Sequence, residues 1–204
     1  MTDHAFARLA DDIEATLRTW HPIDPDTAAL RERYLAFVVD RGADAVRREG
    51  GREHLTASAF VFSPDLRNVL LCFHRKGQFW VQVGGHVEAA DATVAAGALR
   101  EAREESGLHE LSPLDPGRPG GRSNGHAPAD LHRHELSSRF GHCTAHWDVG
   151  YAFTAAADAT PTVSDESDDV RWWPVHDLPA QTPHDFPERL AGVLAELAAR
   201  AART

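Results

Sequence analysis

Three glutamates stand three and four residues apart in the stretch Arg100-Glu101-Ala102-Arg103-Glu104-Glu105-Ser106-Gly107-Leu108. Helix positions i, i+3 and i+4 share a face, so Glu101, Glu104 and Glu105 make one acidic surface just ahead of Gly107. Each like-charged neighbour costs roughly 0.2–0.5 kcal/mol, and the helix dipole opposes a negative C-terminal turn by about 0.3–1 kcal/mol per charge. Stability alone selects against the arrangement. A hard divalent cation such as Mg²⁺ or Mn²⁺ reverses the sign, because it binds oxygen ligands. A solvated helix end neutralised by Arg100 and Arg103 is the simpler reading of the glutamates taken alone. The pair Gly84-Gly85 tilts the balance, since glycine lets a backbone come close to a phosphate or a metal.

Such a site needs a strand leading into the glycines and a helix carrying the carboxylates. Trp80–Val83 reads as the strand, and Thr93–Ser106 as the helix, with Val94, Gly97, Ala98 and Leu99 on a helical period and Gly107 as its left-handed stop. Further strands are expected at Leu55–Phe62, Val69–Phe73, His132–Leu136, Ala145–Ala155 and Val170–Trp173, with a turn over Pro64–Asn68. Phe186–Ala202 closes as a helix with Leu190, Val193, Leu194 and Leu197 inward. The first fifty residues differ in texture. Phe6, Leu9, Ile13, Leu17 and Trp20 form one apolar stripe, Leu30, Tyr34, Phe37 and Val38 a second that ends near Gly42, and Asp24 is placed to cap a helix opening at Pro25. Gly50-Gly51 marks a boundary, giving a helical extension over 1–50 and a main domain over 51–204. Ser112–Asp130, rich in Pro, Gly, Asn and Ser, reads as a long loop. Strands interleaved with helices predict an α/β or α+β sandwich.

Composition narrows the function classes. The chain has 204 residues, with 21 Lys+Arg against 31 Asp+Glu and a formal charge of −10. Hydrophobic residues at 42% and charged residues at 25% exclude wholesale disorder. No run of apolar residues is long enough for a membrane-spanning helix, and the acidic opening stretch does not read as a secretory signal. Cys72 and Cys143 are too few for a disulfide framework, so a cytoplasmic setting is expected. The acidic balance argues against duplex nucleic acid as a partner. It does not argue against a small phosphate compound bound through divalent cations.

The segment Gly85–Leu108 resembles the Nudix box, Gly-x5-Glu-x7-Arg-Glu-U-x-Glu-Glu-x-Gly-U with U aliphatic. Gly85, Arg100, Glu101, Glu104, Glu105, Gly107 and Leu108 fall in register, and Ala102 is a small version of its aliphatic position. Asp91 stands where the box has its first glutamate, with one extra residue before Arg100, and no proline precedes the paired glycines. Flanking segments extend the likeness from about Leu55 to Pro179. The resemblance implies an α/β/α Nudix sandwich with a mixed sheet, here with an N-terminal helical extension. It also implies a Mg²⁺- or Mn²⁺-dependent hydrolase that cleaves a pyrophosphate bond in a nucleotide or nucleoside diphosphate derivative by in-line attack of water. By the same resemblance Glu101, Glu104, Glu105 and the Gly85 carbonyl are the metal site, Glu101 or Glu104 or a carboxylate from a later loop orients the water, and Arg100 fixes the glutamates. The residue at position 91 supports that arginine rather than binding metal. Nucleoside triphosphates and nucleotide sugars both stay open as substrates; the signatures of NADH hydrolases, coenzyme A hydrolases and isopentenyl diphosphate isomerases are absent. A ligand sensor on the same fold is the alternative, but its usual degraded box does not match the intact glutamates.

Other residues carry weaker signals. His132, His134, His142, His146 and Asp148 crowd together around Cys143, and alternate strand residues share a face. They read as ordinary histidines, as substrate contacts or as zinc ligands, although HRH and HCTAHWD match no closed zinc set. Asp148, in HWDVGYAF, is also a candidate metal ligand or base. His86 adjoins the paired glycines and is expected to touch substrate. Arg75 and Lys76 could meet a phosphate or hydrate a hairpin tip, and Trp80 could stack on a base or fill the core. Glu166, Asp168 and Asp169 form an acidic loop from which Glu166 could supply a base. Pairing into a homodimer through the N-terminal helices or the sheet is a further expectation.

Overall fold

The computed structural model describes residues 2–114, 126–137, 141–156, 158–164 and 167–203. The chain opens with α1 (Thr2–Thr19), α2 (Pro25–Arg41) and the short α3 (Ala43–Val46). Strands β1 (Glu53–Phe62), β2 (Asn68–His74), β3 (Phe79–Val81) and β4 (Val83–His86) follow. Next come α4 (Val94–Ser106), β5 (Leu111–Pro113), β6 (Asp130–Glu135), β7 (Ala145–Ala155), β8 (Ser167–Pro174) and α5 (Phe186–Ala202). The caps are those the residue types called for. Asp24 accepts from the Thr27 N–H at 2.7 Å with Pro25 at the first helical position. Thr93 accepts from the Ala96 N–H at 3.0 Å, and Gly107 ends α4 at φ 68°.

The sheet is mixed. β1 runs parallel to β7 through ten consecutive pairs, from Glu53↔Ala145 to Phe62↔Thr154, while its other edge takes β4 antiparallel. β6 and β5 flank β7, and β8 and β3 flank β2, all antiparallel. Side-chain alternation on the central strands divides the interior in two. Leu55, Ala57, Ala59 and Val61 of β1 join Trp147, Val149, Tyr151 and Phe153 of β7 in one core with the apolar faces of α1 to α4. Phe60 and Phe62 join Phe186, Leu190, Val193 and Leu197 of α5 in the other. Helices therefore cover both faces of the sheet.

Two expectations change in detail. Trp80–Val83 is not one strand running into the glycines: it breaks at Gln82, and Gly84-Gly85 lie inside β4, paired with Ser58 and Ala57. The loop expected to begin at Ser112 is preceded by β5, which reaches Pro113 and pairs with β7 through backbone groups that a Ser-Pro sequence does not advertise. Residues 115–125 of that loop lie outside the described residues.

The N-terminal helices are tied to the rest by buried polar groups as well as by apolar contact. Glu196 of α5, itself 4% exposed, accepts from Trp20 Nε1 at 3.3 Å, the Ile23 N–H at 2.9 Å and Arg200 Nε at 3.0 Å. Arg200 also donates to the Ala127 and Pro128 carbonyls. Removing one member of a buried charged pair costs about 3–5 kcal/mol, because the partner stays desolvated. Glu196→Ala is therefore expected to lower the unfolding free energy in urea by about that amount; a loss within the noise of the titration would show that this network adds nothing.

Candidate active site

Arg100 is the hub on which the acidic helix end is assembled. Its Nε and Nη2 donate to the two carboxylate oxygens of Asp91 at 3.0 and 3.1 Å. Nη1 donates to Glu101 and to Glu104, each at 2.9 Å, and Nη2 also reaches the His86 carbonyl at 2.8 Å. Burial disfavours the charged guanidinium, but the Asp91 hydrogen bonds and the Glu101 charge outweigh it, raising the Arg100 pKa further. Asp91 is only 6% exposed and accepts a third hydrogen bond from the Glu88 N–H at 2.7 Å. The aspartate that departs from the box thus does the bracing of Arg100 expected at its position.

Each glutamate has its own environment. Glu105 is buried and accepts from the Gly84 N–H at 3.0 Å, so it is tied to β4. The Glu101 carboxylate lies against Gly85, where a Cβ would stand 2.7 Å from Oε2; the missing side chain makes room for it. Glu104 keeps a side chain 59% exposed and faces outward. These are hard oxygen donors with a glycine backbone beside them, which suits Mg²⁺ or Mn²⁺. Their oxygens are held by Arg100 and Gly84 rather than drawn into one tight knot.

Gly97 explains how Asp91 gets so close to the helix. A Cβ there would come within 2.9 Å of Asp91 Oδ2. The approach is also held from outside the box, by residues that gave no chemical signal in the sequence. Arg8 of α1 donates to the Asp91 carbonyl at 2.6 Å and to that of Ala92, and Asp12 accepts from the Val94 N–H at 2.9 Å. Burial raises the Asp12 pKa against the opposing pull of the Val94 N–H and Arg8. Their one sequence trace is a place on the polar side of the α1 stripe.

The opposite face of β4 is lined by histidines. Register puts His86 beside Thr56, Thr56 beside Asp148, and Asp148 beside His132; one step along, His54, His146 and His134 line up. Asp148 is 5% exposed and both its oxygens are taken, by Thr56 Oγ1 at 2.8 Å and Ser58 Oγ at 2.6 Å, with Gln82 Nε2 at 3.4 Å. It organises this face from below. Burial is the main cause that pushes His86 and His132 down to about 4 and His146 to about 3, so these imidazoles are neutral at neutral pH. His132 Nε2 meets Asp185 at 2.7 Å.

Other expected contacts fall elsewhere. Trp80 is 7% exposed and packs edge-on against Phe73 and Trp173 in the α5-side core. A ring so enclosed has no open face for a base, so its core reading replaces the substrate one. Arg75 pairs with Asp168 at 2.7 Å and donates to the Ser167 carbonyl, which joins the β2–β3 turn to β8 instead of leaving a cation facing the glycines. Asp169 pairs with Arg171. Glu166 lies outside the described residues.

A family model of the NUDIX domain matches residues 52–197. The chain belongs to the Nudix family. In reaction class it is a Nudix-type pyrophosphohydrolase. Among solved structures, a NUDIX-family hydrolase from Clostridium perfringens aligns with a TM-score of 0.52 at 22% identity, covering 72% of this chain and 97% of that one. The binary complex of an Ap4A hydrolase from C. elegans aligns at 0.54 and 15%, covering 71% and 97%. A MutT protein from Methanosarcina mazei Go1 aligns at 0.52 and 18%, covering 72% and 96%. Such identities speak to the Nudix fold. No curated protein sequence matches the chain.

The Gly97–Asp91 contact can be tested by adding one methyl group. Alanine in a helix interior is ordinarily worth about 0.8–1 kcal/mol over glycine, whereas overpacking costs about 1–3 kcal/mol. Because Asp91 is pinned by Arg100 and the Glu88 N–H, overpacking wins here. Gly97→Ala is expected to lower both the melting temperature and turnover; a higher melting temperature with unchanged turnover would contradict the contact.

Proposed function

We propose that the chain hydrolyses the pyrophosphate bond of a small nucleotide or nucleoside diphosphate derivative in a reaction that requires Mg²⁺ or Mn²⁺. The observation that carries this reading is Arg100, held by Asp91 and holding Glu101 and Glu104 beside the β4 glycines while Glu105 accepts from Gly84. Glu101, Glu104, Glu105 and the Gly85 carbonyl would hold the cation, which when bound neutralises charge on the pyrophosphate and polarises its phosphorus–oxygen bonds. A chain of charge −10 can then take up an anionic substrate, since the cation inverts the local field.

The protein's own part is positioning, which is most of what phosphoryl transfer asks. Arg100 fixes two carboxylates without being spent on substrate, because Asp91 and the His86 carbonyl occupy its other donors. Glu104, the most exposed of the three, would orient an attacking water and accept its proton. His86 continues the same strand onto the histidine face, where neutral imidazoles and the Asp148 network offer hydrogen bonds to the uncharged part of a substrate.

Purified protein should release phosphate from some members of a nucleotide panel in the presence of Mg²⁺ or Mn²⁺, read through a coupled phosphatase. Glu104→Gln and Glu105→Gln should each lower that turnover by about 100-fold or more while leaving the circular dichroism spectrum unchanged. Full turnover in either variant would remove that residue from the site, and inactivity of the unaltered protein across the panel would favour a ligand sensor.

A further inference from the structure

A second group of metal-binding side chains lies away from the glutamates. We propose that His54, Cys143 and His146 form a binding site for a zinc-class transition-metal ion. One donor atom from each lies within 4.8 Å of the others, the only such set of three among the described residues. His54 Nδ1 is 3.7 Å from Cys143 Sγ. Zn–S near 2.3 Å and Zn–N near 2.0 Å at a tetrahedral angle put the two donors about 3.5 Å apart, so these two atoms stand close to the spacing of one edge of a coordination tetrahedron.

The sequence hides the set because one ligand comes from a distant strand. His54 and His146 are directly paired across the parallel β1–β7 ladder, and Cys143 sits two residues ahead of β7. The Thr144 N–H donates to the Arg52 carbonyl at 2.7 Å, which fastens the cysteine's loop to the start of β1. Cys143 Sγ also lies 3.5 Å from the Ala145 carbonyl.

Beside the cysteine, the histidines are buried or half-buried and gathered closely. His54 is 1% exposed, yet its Nε2 has no hydrogen-bond partner. Its ring lies 5.0 Å from those of His86 and His146. His134, 5.4 Å from His146, has a buried Nδ1 that is likewise without a partner. Buried polar atoms are normally satisfied, and each neutral imidazole offers one lone-pair nitrogen able to bind a cation. A cation held by Nδ1 of His54, a nitrogen of His146 and the Cys143 thiolate would use the lone pairs of neutral imidazoles, and the thiol proton would leave to solvent on binding.

The donor set selects the metal. Imidazole and thiolate suit Zn²⁺ and its neighbours, whereas the oxygen donors at Glu101, Glu104 and Glu105 suit Mg²⁺ or Mn²⁺. The two sites would therefore divide metals by hardness on either side of β4. Three protein donors leave a fourth position for His86 or a small ligand.

Cobalt is the probe, because a thiolate-bound Co²⁺ absorbs in the near ultraviolet. Full-length protein freed of metal with a chelator should bind one Co²⁺ per chain with that charge-transfer absorption, and Zn²⁺ should displace it. Cys143→Ser, at a half-exposed position that does not endanger folding, should abolish the band. His146→Gln and His54→Gln should weaken cobalt binding by more than about tenfold; if the buried His54 variant does not fold, the other two decide. The Glu104→Gln and Glu105→Gln proteins should keep the band, so failure here is separable from failure of the hydrolase reading. Absence of the band at excess cobalt, its survival in Cys143→Ser, or its loss in Glu105→Gln would each overturn the proposal.

Discussion

The two-point hydrogen bond between Arg100 and Asp91 is the constraint from which the rest of the candidate active site follows. A guanidinium has five donors in a rigid fork, and here every direction of that fork is assigned: Asp91 on one side, Glu101 and Glu104 on another, the His86 carbonyl on a third. A helix C-terminal turn crowded with glutamates is unfavourable by dipole and by mutual repulsion. Arg100 makes it tolerable without drawing the glutamates away from the glycines. Because Asp91 is buried and the arginine only partly exposed, this pairing is screened less than a surface ion pair would be.

That constraint reaches well beyond the box. Asp91 can stand against α4 only because Gly97 has no side chain, and the turn that carries it is gripped by Arg8 and capped through Asp12, both on α1. The N-terminal helices share the core of the sheet through Leu9, Ile13, Leu17 and Tyr34, and they are also fixed to α5 by Glu196. They work as part of the scaffold that sets the position of the first turn of α4. On the other face, β4 ties the carboxylates to the histidine-lined surface, since Gly84 and His86 contribute backbone groups to one side and the His86 ring to the other.

Much of this was legible in residue types and spacing, and the failures have identifiable causes. The helices emerged from their apolar stripes and caps, with Asp24 and Gly107 marking ends, because those signals are local. The glutamate face and the glycines were readable for the same reason. Asp91 could be seen as a departure and its support of Arg100 followed from the resemblance, but its contact with Gly97 depends on how a turn folds back, which spacing does not encode. Arg8 and Asp12 looked like the polar side of an amphipathic helix, and nothing local distinguishes a charge that caps another helix from one in water. The histidine-rich segment was visible, yet His54 lies some ninety residues earlier and joins it only through parallel strand pairing. Trp80 and Arg75 were over-read because a strand aromatic and a turn cation look alike whether they face substrate, core or a neighbouring aspartate.

The account stands on Arg100 and Asp91 acting as one unit to place the glutamates. The direct measurement is kcat/KM for pyrophosphate cleavage in the presence of Mg²⁺ in Asp91→Ala, Arg100→Ala and the double variant, on whichever compound the unaltered protein turns over fastest. Each single substitution should cost about 100-fold or more, and the double should be no worse than the poorer single, as for residues that function together. Losses that simply multiply, or an Asp91→Ala enzyme with full activity, would contradict it.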